Sequence, residues 1–230
     1  SAPKYGFVDS IMRGKPILAP RPFGSYIVEN ILFKVPFPTE FHAQTASECA
    51  VRLHPMVKGR LDEIKAIHIR AHTRTMHTID KSGPLRNAAD RDHCLQYILA
   101  VVLKHGKIAA EDYQDEFARD PQLDRLREKM KVTEDASFTR DYYDPEKRAN
   151  PNAIRVEFSD GSSLPEIRVD FPLGHPRRRA EGLPLVVEKF RRAIGGAFPG
   201  NRGNQILAAV ADPKAFDAMK FKAFMDLLVR

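Results

Sequence analysis

The stretch Ile154-Arg155-Val156-Glu157-Phe158-Ser159-Asp160-Gly161, with Ile167-Arg168-Val169-Asp170-Phe171 beyond it, decides the fold class. Apolar and charged side chains alternate on both sides of Asp160-Gly161. A period of two sends Ile154, Val156 and Phe158 to one face of a strand and Arg155 and Glu157 to the other. An Asp-Gly pair marks a tight turn, so the two runs predict a hairpin with one wet face. A second alternation, Ile67-His68-Ile69-Arg70-Ala71-His72-Thr73, predicts another half-buried strand.

Around these strands the spacing turns helical. Thr39 caps a helix that runs to Leu53 and stops at Pro55, with Ala46, Cys49, Ala50 and Leu53 on one face. A helix from about Asp90 ends at Gly106, a left-handed cap. Asp120-Pro121 opens another, striped by Leu123, Leu126 and Met130. Residues 132–152 read as irregular. Further helices are expected over 184–194, closed by Gly195-Gly196, then from a cap at Asn204 through Val210, then over 216–229. Six prolines within 1–38 exclude a long regular element there, apart from a short helix over 25–33. The fold class is α+β. Residues 1–54 form an entry segment and first helix, 55–175 a small mixed α/β unit with an antiparallel sheet, and 176–230 a helical segment. That last segment has more apolar faces than this sheet can cover, which points to helices elsewhere and to self-association.

The chain has 230 residues, 43% of them hydrophobic, enough for a substantial core. A formal charge of +7 suits an acidic small molecule, a nucleic acid or an acidic partner surface. Most cations are interspersed with acids, and only Arg177-Arg178-Arg179 forms a dense run, so no nucleic-acid partner is expected. Two cysteines without C-x-x-C spacing fit a reducing, intracellular compartment and cannot supply an iron–sulfur set. No apolar run is long enough to span a membrane, so no membrane partner is expected either.

Three constellations could carry chemistry. In Asn87-Ala88-Ala89-Asp90-Arg91-Asp92-His93-Cys94-Leu95-Gln96-Tyr97, His93 and Tyr97 lie four apart and would share a helix face with Arg91 nearby. A cation, an imidazole and a phenol near a helix N-terminus would make a pocket wall for an acid; the alternative is helix residues satisfied in the core. Gly174-His175-Pro176-Arg177-Arg178-Arg179 reads equally as a solvated loop or as an arginine fork for carboxylate or phosphate. His68 and His72 would lie roughly 13 Å apart along a strand, too far to share an ion, so surface or inter-element hydrogen bonding is expected and no metal.

Read together, several stretches resemble the 2-methylcitrate dehydratase branch of the MmgE/PrpD family. They are Arg21-Pro22-Phe23-Gly24-Ser25-Tyr26, Glu29-Asn30-Ile31-Leu32-Phe33-Lys34, Phe37-Pro38-Thr39-Glu40-Phe41-His42, and Gly83-Pro84-Leu85 with Ala89-Asp90-Arg91-Asp92-His93-Cys94. Asp144-Pro145-Glu146-Lys147-Arg148 and the Gly174–Arg179 loop complete the set. The resemblance covers essentially the whole chain and the C-terminal part only of the family's longer chains. It implies a small α+β lid followed by C-terminal helices of a larger helical domain, with the N-terminal half of the enzyme as partner, and a bacterial cytoplasmic or mitochondrial matrix location. It implies a hydro-lyase that converts 2-methylcitrate to 2-methyl-cis-aconitate in propionate catabolism, without metal or other cofactor. The alternatives are a non-catalytic lid fragment or a relative acting on citrate or cis-aconitate. Such a reaction needs cations to hold a tricarboxylate and acid and base groups at the reacting carbons. By resemblance, Tyr97 acts as acid, base or hydrogen-bond donor, Lys34 binds a carboxylate, and His42 contacts substrate or orients Lys34. Arg91, His93, Arg177 and Arg178 are further substrate-binding candidates.

Overall fold

The computed structural model describes residues 2–18 and 32–229, so the helix expected over 25–33 falls largely outside them. Ser1–Ile31 and Leu32–Arg230 are separate compact units. Among the described residues the first carries a short helix, α1 (Phe7–Ser10). In chain order the second runs α2 (Gln44–Val57), β1 (Ile64–Ala71), α3 (Thr73–Ile79), α4 (Ala88–Asp92), α5 (Leu95–His105) and α6 (Asp115–Ala118). It continues through α7 (Pro121–Glu128), β2 (Met130–Glu134), α8 (Ala136–Tyr143), β3 (Asn152–Phe158) and β4 (Ile167–Val169). Helices α9 (Arg179–Ala197), α10 (Asn201–Ala211), α11 (Pro213–Ala218) and α12 (Phe221–Leu228) follow.

The sheet order is β2-β1-β3-β4. β1, β3 and β4 are antiparallel neighbours, with Ile69 opposite Ile154 and Ile154 opposite Ile167. β2 adds a parallel edge, with Ile67 opposite Met130. The alternation read from the sequence holds: Ile67, Ile69, Ile154, Val156 and Phe158 are buried, whereas Arg155 is exposed. The wet face is laced by exposed pairs such as Lys65–Glu157 at 2.7 Å, and His68 reaches the same carboxylate at 3.4 Å. One hydrophobic core joins the dry face to α2, α5 and α7.

Several boundaries differ from expectation. α2 passes through Pro55 and ends at Val57, because Val57 is fully buried and extends the stripe past the lost amide. Residues 132–152 are not irregular. They hold most of β2, which is short and half polar, and α8, whose N-cap Asp135 accepts from the Ser137 and Phe138 amides. The expected helix over 90–106 is two helices. His93 closes α4 and Cys94 is extended (φ −125°, ψ 106°), so α5 starts in a new direction. Gly106 caps α5 at φ 71°, where a side chain would be strained and would meet His54. α9 runs from Arg179 through Pro184 and Gly195-Gly196 to Ala197, and α10 begins at Asn201 rather than at Asn204. The last stretch is two helices, broken between Ala218 and Phe221. Leu183, Val187, Phe221 and Val229 on this segment are exposed.

Candidate functional site

Two groups of polar side chains flank α3. At its C-terminal end lies a cleft of about 730 Å³. Its walls hold Lys81, Arg86, Arg91, Arg119 and Arg127 against three carboxylates, Asp115, Asp124 and Glu128, so cations are in excess. Tyr97 forms part of the wall, because α5 begins at Leu95 and buries all of its first two turns. The residue is 2% exposed and its hydroxyl donates to the Asp112 carbonyl at 2.6 Å. Burial pushes the phenol up to about 12, only partly offset by Arg91. At neutral pH Tyr97 is therefore a protonated donor.

Arg91 is buried, donates to the Tyr113 carbonyl at 2.6 Å and pairs with Asp115 at 2.7 Å. Arg119 is exposed and makes no ion pair among the described residues. His93 does not share a face with Tyr97. The break at Cys94 leaves it exposed, 3.3 Å from Asp92.

At the N-terminal end of α3 lies the second group. His72 is the N-cap of α3 rather than a strand residue, and it is fully buried. Its hydrogen bonds fix its form. Asn150 uses its amide nitrogen on the Phe41 carbonyl at 2.8 Å, so its oxygen faces His72 Nε2, also at 2.8 Å. His72 Nδ1 accepts from the Thr75 amide at 3.4 Å. Burial, with His42 nearby, lowers His72 to about 4 against the Asn150 bond, so it is neutral and both nitrogens are engaged. It stacks on Tyr142 with ring centroids 4.0 Å apart.

His42 sits beside this stack on a single 3₁₀ turn, Phe41–Ala43. Two asparagines at the start of the β3 segment hold that turn. Asn150 takes the Phe41 carbonyl, and Asn152 donates to the His42 carbonyl at 3.1 Å and to Thr45 at 2.8 Å. Glu40 accepts from the His42 amide at 2.7 Å and faces Nδ1 at 2.8 Å. Nε2 meets the Tyr142 hydroxyl at 3.2 Å. Burial would raise Glu40, yet its bonds to His42 outweigh this and hold it below the ordinary carboxylate range. The sequence offered His42 as a candidate and read His72 as an inter-element hydrogen-bonding residue, which it is, but placed neither His72 nor Tyr142 beside His42. Their only local signals are a cap position before Thr73 and an aromatic pair ending α8.

Helix α3 separates the two groups. His72 opens it, while Asp80 and Lys81 beyond its end bond Gln96 beside the cleft, at 2.5 and 3.3 Å. Seven residues of helix span roughly 10 Å, so the His42 group and the Tyr97 cleft lie at opposite ends of one short helix rather than in contact. Lys34 is exposed, and its carbonyl accepts from Lys189 at 2.6 Å. Gly174 lets the backbone of Phe33 pass: a Cβ there would lie 1.7 Å from the Phe33 oxygen. Arg177 donates to the Glu146 carbonyl at 2.9 Å. Arg178 grips Glu48 through two bonds, 2.7 and 3.1 Å, and also bonds Phe171 and Glu181. Among the described residues no cluster of His, Cys, Asp or Glu could hold a metal ion, and no helix is long and apolar enough to cross a membrane.

Known proteins share this sequence along its whole length. It is 47% identical to a 2-methylcitrate dehydratase of Cupriavidus necator, over 99% of this chain and 48% of that one. It is 45% identical to a 2-methylcitrate dehydratase of Salmonella typhimurium, over 100% of this chain and 48% of that one. A mitochondrial 2-methylcitrate dehydratase of Yarrowia lipolytica is 50% identical, over 91% of this chain and 41% of that one. The chain thus spans about half the length of these relatives. The family model described as the MmgE/PrpD C-terminal domain matches residues 37–213, which take in the Glu40–His42 turn, the sheet and the cationic cleft, and the chain therefore belongs to the MmgE/PrpD family.

Proposed function

We propose that this chain is the C-terminal portion of a 2-methylcitrate dehydratase, a hydro-lyase forming 2-methyl-cis-aconitate. The observation that supports this most is the cation-rich cleft beside a protonated tyrosine. Carboxylates of a tricarboxylate would be drawn to Arg91 and Arg119, which supply planar, paired donors. Tyr97 would turn its hydroxyl from the Asp112 carbonyl and give its proton to the departing hydroxyl, a role suited to a neutral phenol. His42 handles the proton taken from carbon, and Lys34 holds a further carboxylate. On this reading 55–175 is the lid, 176–230 belongs to the helical domain, and the rest of the site comes from the other half of the polypeptide, within a homo-oligomer.

Calorimetry of the 230-residue chain with 2-methylcitrate tests the cleft, and the ultraviolet absorbance of the new double bond tests turnover. Binding that weakens at least tenfold in Arg119→Ala is expected. Binding that ignores Arg119→Ala and Arg91→Lys alike would remove the cleft from the site. Turnover by the 230 residues alone, abolished in Tyr97→Phe, would show that the other half is dispensable. Preference for citrate or cis-aconitate would move the chain to a sister activity.

A further inference from the structure

A histidine can accept a proton at only one ring nitrogen when neutral, and the partner of the other nitrogen chooses which. Around His42 that choice is built from the chain itself. Glu40 takes both the His42 amide and Nδ1, at 2.7 and 2.8 Å, and the side chains are 12% and 14% exposed. A carboxylate can only accept, so Nδ1 must carry hydrogen. Nε2 is then left with a lone pair, and the group facing it is the Tyr142 hydroxyl at 3.2 Å, which can donate. The asparagine clamp fixes the backbone of the turn, so the ring cannot leave Glu40 by a small backbone shift. His72 behind Tyr142 has both nitrogens engaged by Asn150 and Thr75 and cannot compete for the proton.

We propose that Glu40 is the positioning residue of a Glu40–His42–Tyr142 relay, holding His42 in its Nδ1–H form so that Nε2 is the proton acceptor beneath the Tyr142 hydroxyl. Glu40 itself touches no substrate; it acts through His42. Tyr142 covers the accepting nitrogen, and its stacking on His72 keeps the hydroxyl in place. The use of this nitrogen in dehydration rests on the dehydratase reading, whereas the form of the ring does not.

The test is a long-range proton–nitrogen correlation spectrum of the 230-residue chain labelled at histidine nitrogen, in mildly alkaline solution, with His42 assigned by His42→Gln. Wild type should show a protonated, pyrrole-type Nδ1 and an unprotonated, pyridine-type Nε2 at His42. Glu40→Ala should shift His42 toward the Nε2–H form, and Glu40→Gln, whose amide oxygen still accepts, should restore Nδ1–H. Tyr142→Phe should leave Nδ1 protonated and move only the Nε2 resonance. His72, with the opposite Nε2–H pattern, reports in the same spectra that each variant is folded. An Nε2–H pattern at His42 in wild type, or a switch caused by Tyr142→Phe, overturns the proposal even if Glu40→Ala does not fold. The expected spectra, together with no binding of 2-methylcitrate once the other half of the polypeptide is supplied, would refute the dehydratase reading and leave the relay standing.

Discussion

Replacing Arg178 by methionine should unfold this protein by several degrees without touching the cationic cleft. Arg178 immediately precedes α9 as its N-cap and ties it to α2 through Glu48. The pair is 15% and 11% exposed, so solvent screens it only slightly. Methionine keeps the aliphatic stem and removes two bonds to Glu48, one to the Phe171 carbonyl and two to the exposed Glu181. Breaking a fully buried pair costs about 3–5 kcal/mol. Glu48 retains Arg52 at 2.5 Å, which lowers that figure, and the orphaned carbonyl adds about 1 kcal/mol. A loss of about 3 kcal/mol results, or roughly 6–12 °C in a domain of this size. Urea unfolding of wild type, Arg178→Met, Glu48→Gln and the double variant measures both the loss and the coupling. The double variant should be more stable than the sum of the single losses implies. A loss under about 0.5 kcal/mol, together with weakened binding of 2-methylcitrate, would refute this reasoning and return Arg178 to the ligand site.

Tyr97→Phe should lower stability by about 1–2 kcal/mol, since the Asp112 carbonyl loses its donor, and thermal melting checks this separately from turnover. His72 should make stability fall in acid. Its folded form is depressed to about 4, so the unfolded chain takes up the proton first, and the stabilisation present above about pH 6.5 is lost as pH falls toward 4. Urea midpoints should therefore drop more steeply between those pH values in wild type than in His72→Gln; equal slopes would mean that the imidazole is accessible to protons. Gly174→Ala must displace the Phe33 backbone, so tryptic cleavage after Lys34 should accelerate severalfold at an unchanged rate elsewhere. No change in that cleavage would mean that the two segments do not pack as described.

The hairpin, the dry face of the sheet and the Gly106 cap were legible because each is a local pattern. Ile154, Val156 and Phe158 declare their face by period alone, and only glycine suits the cap's φ without strain. The break at Cys94 was not legible, since Asp90 to Leu103 carries no proline or glycine and reads as one helix. Pro55 misled for the opposite reason: burial of Val57 overrides a local stop signal. The edge strand β2 is half polar, and its parallel partner β1 lies about sixty residues earlier, across several helices. In the candidate site, Tyr97, His42 and Arg91 came from the sequence. His72 did not, because its strand ends one residue before it and turns it inward. Asn150 and Asn152 carry no motif, and only the folded chain brings them to the His42 turn.

That clamp also sets a timetable. Asn150 and Asn152 reach back 109 and 110 residues to the carbonyls they hold. Contacts so distant in sequence must pay for loop closure before they return anything, which slows folding. On a ribosome adding about 5–20 residues per second, roughly 6–22 s separate the synthesis of His42 from that of its clamp. Within that interval the nascent chain gains Arg91 and Tyr97, yet the turn bearing His42 still lacks its clamp. The imidazole is made well before the two asparagines that set it in position.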